Sequence, residues 1–174
     1  MRALTLLFVI VSTALATPAI ADTRFFAYDA ADALTQGLTR GVTFRAETRF
    51  LRDPRLEQLF STTSRGSALL EPGGPQDVSR VLPSGSEDSA LYRVSPEGDG
   101  RALANALCPG SSQTWLASGR VRAGRPLVLH AVGVWSDGGY RHCARLSYSF
   151  RGEWAQLPRD MQGRPEDAGS PITR

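Results

Sequence analysis

The residues whose types bear most directly on chemistry are two histidines, His130 and His142, and three arginines, Arg141, Arg145 and Arg151. A guanidinium group holds carboxylates and phosphates through paired, charge-assisted hydrogen bonds. Arg141, Arg145 and Arg151 share one parity along an extended segment, so they read as a row on one strand face. His130 falls beside Arg145 across a hairpin. This set is the expected binding surface, suited to another protein or to an anionic ligand. A solvated strand face is the plainer alternative. Strand alternation puts His142 on the face opposite His130, so no shared acid–base pair and no two-histidine metal site is expected.

A second polar constellation is Ser61-Thr62-Thr63-Ser64. Exported ADP-ribosyltransferase toxins carry an Arg on a first strand, a Ser-Thr-Ser strand and a late pair of glutamates. Arg24 and Ser61-Thr62-Thr63 resemble the first two of these elements, which implies a secreted transferase or hydrolase as the alternative function. The Glu-x-Glu is missing, and Glu153 stands by itself. No G-x-S-x-G, P-loop, H-E-x-x-H or EF-hand pattern occurs, so no cofactor and no metal is expected. Trp115, Trp135 and Trp154 fall one in each of three late apolar segments, where they serve as core-edge packing or as contact residues.

Those side chains need a compartment and a scaffold. Arg2, the apolar run Leu4–Leu15, Pro18 and Ala19-Ile20-Ala21 make residues 1–21 a signal peptide, cut before Asp22. The protein is therefore expected in the periplasm or secreted, with no transmembrane segment after cleavage. In that setting Cys108 and Cys143, the chain's two cysteines, are expected to form a disulfide. The formal net charge is +3, carried by arginine with no lysine. That field is weak and gives no reason to expect nucleic acid. The missing lysine fits the codon usage of a GC-rich bacterial genome.

Residues 22–157 are expected to form one domain, and residues 158–174 a disordered tail. Residues 23–28 and 42–51 read as strands, with a helix between them capped by Asp29. Asp53-Pro54 followed by Leu56, Leu59 and Phe60 reads as a second helix. Residues 61–88 give little signal, with a short strand possible at 78–82. Ser89–Ser95 reads as a strand, and Asp99–Leu107 as a helix. The clearest part is a three-stranded antiparallel meander over 112–154. Its last hairpin is expected to turn on Asp137-Gly138, pairing residues whose numbers sum to 275. Leu127 then faces Tyr148, Leu129 faces Leu146, and Ala131 faces Ala144. The expected fold class is α+β: an antiparallel sheet covered by two or three short helices, with one disulfide. The helix ending at Cys108 is expected to lie on the outer face beside Val132. The expected function is that of an exported, non-enzymatic binding or accessory protein, with a structural role in an envelope assembly as a further alternative.

Overall fold

Alternating apolar residues build eight strands, and these close on themselves. The computed structural model describes residues 22–49, 52–63 and 66–155. The expected signal peptide, the expected tail and Phe50, Leu51 and Ser64 lie outside them. The strands are β1 (Asp22–Ala30), β2 (Gly41–Thr48), β3 (Arg55–Ser61), β4 (Ser67–Pro72), β5 (Ala90–Val94), β6 (Gln113–Ser118), β7 (Leu127–Val134) and β8 (Tyr140–Trp154). Each pairs antiparallel with the next, and β8 pairs with β1, giving a closed up-and-down barrel. Three short helices sit in the connections: α1 (Ala33–Leu38), α2 (Gln76–Arg80) and α3 (Gly100–Leu107).

The expected α+β sheet covered by helices is thus replaced by a barrel. Closure depends on two strands that sequence patterning does not reveal. Leu56 and Leu59 are three apart, a helical spacing, yet both point into the barrel from β3. The β2–β3 register slips by one residue at Glu57, so Leu56 faces Ala46 while Leu59 faces Phe44. A bulge lengthens the period of a strand locally and so imitates a helix. β4 is hidden in a Ser/Gly/Pro-rich stretch. Closure is completed by β8, whose 15 residues pair first with β7 and then with β1.

The interior is filled with side chains, led by Tyr28, Phe44, Leu59, Leu116, Leu146 and Tyr148. Leu103 and Leu107 of α3 join this core, as does Val121 from the β6–β7 connection. Cys108 and Cys143 form the expected disulfide, with Cα atoms 5.3 Å apart. The position of α3 differs from expectation, because it packs into the barrel core and not over the outer face of β7. That outer face is covered by the β4–β5 excursion, where Val78 of α2 packs with Trp115 and Val132 in a second, smaller cluster. The helix cap is also displaced, from Asp29 to Asp32, whose carboxylate accepts the Thr35 amide at 2.8 Å.

The β7–β8 register decides where the histidines go. Leu127, Leu129 and Ala131 face Tyr148, Leu146 and Ala144, as expected. Beyond Ala131 the register slips, and Val132 faces His142. Two one-residue departures offset each other here. The hairpin loop has three residues, Ser136–Gly138, closed by the Trp135 amide donating to the Gly139 carbonyl at 3.2 Å. Gly138 takes φ 75°, a left-handed conformation that glycine adopts without steric cost. Cys143 is then the extra residue of a bulge that restores the original register. Between loop and bulge every side chain of β8 is turned over, so His142 lies on the outer face with His130.

Candidate functional site

The β4–β5 excursion does not lie flat on the barrel. Anchored by Val78, it carries residues 83–87 past the outer wall of β7 and β8. Together with the β6–β7 connection it bounds a groove of about 450 Å³. Ser84, Glu87, Arg120, Val128, His130 and Arg145 are among its lining residues. His130 faces Arg145 directly in the strand register. Arg145 is exposed and makes no ion pair among the described residues. Arg120 also reaches Asp53 at 3.3 Å. Glu87 packs on Gly119, where any Cβ would collide with its carboxylate. The groove thus holds two guanidinium groups, one of them uncommitted, against one carboxylate.

The histidines form a pair. His130 Nδ1 and His142 Nε2 are 3.0 Å apart, with ring centroids separated by 5.2 Å. His130 is only 3% exposed, and His142 is partly buried. Burial holds both imidazoles below the usual histidine range, and for His130 the neighbouring His142 and Arg145 push the same way. At neutral pH both rings are uncharged. One ring donates an N–H, and the other accepts it.

The three arginines of the expected row are not brought together. Arg141 lies between loop and bulge, on the face opposite Arg145. Its guanidinium stacks over Trp135 at 4.9 Å and pairs with Asp137. Arg151 occupies a second bulge of β8, facing β1, and lies 3.9 Å from Asp29. At about 3.3 Å per residue, four and six residues separate Arg145 from the other two by roughly 13 and 20 Å. One small anion cannot span those distances. Of the expected set, Arg145 and His130 share the groove.

The Ser/Thr segment and Arg24, singled out in the sequence, are accounted for locally. The Ser61 and Thr62 hydroxyls donate to the Thr39 carbonyl at 3.2 and 3.1 Å, closing the chain around α1. Arg24 lies beside Asp22 at 2.7 Å and Glu153 at 3.9 Å. It pairs with Ala46 of β2, whereas Ser61 pairs with Val42, four residues further along that strand. The Arg and Ser/Thr elements are therefore about 13 Å apart along the sheet. Trp115 is buried in the outer cluster, and Trp154 covers Gly152. Among the described residues no group of three or more His, Cys, Asp or Glu side chains is arranged to hold a metal ion. No helix among them is long and apolar enough to cross a membrane.

Sequence reasoning missed three participants: His142, turned outward by the bulge, and Arg120 and Glu87, brought to the groove by connections. The last two carry no periodic signal, because a loop's reach is set by tertiary anchoring. No protein-family model, curated protein or solved structure matches this chain.

Proposed function

We propose that this chain is an exported, non-enzymatic binding protein that takes an anionic ligand in the groove beneath residues 83–87. The observation that carries this reading is the guanidinium of Arg145, which has no ion-pair partner among the described residues and is set against the buried His130 in a groove of about 450 Å³. An unpaired arginine in a partly enclosed site gains more from a carboxylate or phosphate than one in open solvent, because screening is weaker there. Arg120 adds a second cationic group at the rim. A barrel interior filled by side chains also favours an external site, since small eight-stranded barrels either hold a ligand inside or fill that space themselves. Export is part of the proposal and rests on residues 1–21 and the disulfide.

Calorimetric titration with inorganic phosphate and with malonate tests the reading. The protein is expected to bind one of them saturably, with Arg145→Gln weakening it by about tenfold or more. Equal affinity in wild type and Arg145→Gln would overturn it. Mass measurement of the protein recovered from the native envelope fraction tests export, and the expected first residue is Asp22.

A further inference from the structure

We propose that the His130–His142 pair takes up one proton together with the anion of the groove, so that the groove binds its anion more tightly in acid. This rests on the anionic-ligand reading above and adds the regulation of that site. His130 Nδ1 and His142 Nε2 are 3.0 Å apart, a hydrogen-bond distance, and the chain has no third histidine. A bridge between neutral imidazoles uses one N–H and one lone pair. The accepting ring already carries its proton on its distal nitrogen. The donating ring has a bare distal nitrogen, which is Nε2 if His130 donates and Nδ1 if His142 does. One proton from solvent binds there without breaking the bridge, and the bridging N–H then becomes charge-assisted and stronger. A second proton would set two N–H groups against each other and part the rings. The pair is therefore built to accept one proton as a unit.

Position couples that proton to the groove. His130 lines the groove and faces Arg145 across the β7–β8 ladder. The remaining strand neighbours are uncharged: β6 places Ala117 beside His130, and β7 places Val132 beside His142. Tyr140, two residues from His142, packs on Trp115. α2, which packs against β8, carries Asp77 and Arg80, paired with each other at 2.7 Å. The other charged lining residues are Glu87, whose carboxylate packs on Gly119, and Arg120, which reaches Asp53. Burial, then His142, then Arg145 disfavour the charged form of His130, and burial does so for His142.

An anion held by Arg145 reverses this balance. It offsets the guanidinium charge that opposes protonation and adds a negative charge beside the pair. The pair then gains a proton at a pH where the empty groove leaves it neutral. By linkage, proton and anion raise each other's affinity by the same factor. Anion affinity therefore rises as pH falls through the titration of the pair.

Calorimetric titration with sulfate from about pH 8 to about pH 5 tests this, because sulfate keeps its charge throughout and histidine is the side chain whose ordinary pKa lies in that interval. Binding is expected to be about fivefold tighter or more at the acid end. Nitrogen-15 NMR of the wild-type protein supplies the second measurement. Without sulfate, both imidazoles should respond together at one midpoint, for a total of one proton. Saturating sulfate should raise that midpoint by the logarithm of the affinity ratio. His130→Gln is expected to abolish the ratio, whatever its affinity at the alkaline end. Sulfate binding with a flat pH profile, a midpoint that sulfate leaves in place, or two independent full protonations would each overturn this inference and spare the anion site. No sulfate binding at any pH would also overturn it, and the phosphate and malonate titrations then judge the anion site separately. The wild-type spectra decide the matter even where His130→Gln does not fold or does not bind.

Discussion

Asp32 shows how much of this fold turns on single polar side chains. Its carboxylate caps α1 by accepting the Thr35 amide, and that backbone hydrogen bond, ahead of smaller contributions, holds its pKa below the usual carboxylate value. The capped turn in turn positions Thr35, whose buried hydroxyl accepts the Ser147 amide of β8 at 2.9 Å. Thr39, just past the helix, hydrogen-bonds the Tyr148 hydroxyl at 2.9 Å, at a tyrosine that burial holds well above the usual range. Asp32→Ala is expected to cost about 1 kcal/mol at pH 7, the usual loss for an N-cap. The sign of its pH dependence follows from the lowered folded pKa. The contribution is complete above the unfolded carboxylate value of about 3.9 and fades as pH falls through the folded value. Urea unfolding of wild type and variant at pH 7 and at pH 2 should therefore show the gap shrinking in acid. A gap that widened in acid would contradict this account.

At the scale of elements, the β7–β8 hairpin shows what the chain's patterning does and does not reveal. Apolar matching set Leu127, Leu129 and Ala131 against their correct partners, because each mispairing there would expose a core side chain. It had no power over Val132–Tyr140. Arg141, His142 and Cys143 do not alternate, so nothing in their types marks the bulge. A three-residue loop and a one-residue bulge also cancel in the numbering beyond them. The cost fell on the candidate site: Arg145 and His130 were legible as neighbours, whereas His142 was assigned to the wrong face. β3 failed for the related reason that its bulge at Glu57 gave Leu56 and Leu59 a helical spacing. Bulges depend on tertiary pairing, which is why a one-dimensional pattern misses them. The disulfide was legible because it needed only an even cysteine count and the expectation of export. It encloses a separation of 35 residues, and chain entropy assigns such a link about 3–4 kcal/mol. Replacing Cys108 and Cys143 together by Ser is expected to lower the unfolding free energy by about that amount in guanidinium titrations while far-UV circular dichroism stays barrel-like. A loss well under 1 kcal/mol would mean that the bulge and α3 hold their places without it.

Taken whole, the molecule is a closed barrel with the groove and the histidine pair on its outer wall. Closure leaves no sheet edge among the eight strands, so a partner cannot dock by adding a strand to this barrel. Apolar residues fill the interior, and ion pairs such as Arg45–Glu57 and Arg93–Glu71 lie on the outer wall, the reverse of a membrane-spanning barrel. Two cores of unequal size result. The large one fills the barrel, and the small one, built on Val78, Trp115 and Val132, holds the β4–β5 excursion against the wall. The groove depends on the small core, since residues 83–87 follow the α2 anchor in the chain. Segments with few buried contacts open locally, with free energies below that of global unfolding. The excursion is thus expected to detach and reseat while the barrel stays folded. Val78 is completely buried, and Val78→Ala removes two methyl groups from the anchor, worth about 1–2 kcal/mol. Amide exchange at residues 78–82 is expected to accelerate by about 10-fold or more in this variant. Exchange at Leu129 and Leu146, inside the barrel, should change far less at pH values where exchange reports opening free energy. Equal acceleration at both places would show a single cooperative unit, and the groove would then be as rigid as the barrel that bears it.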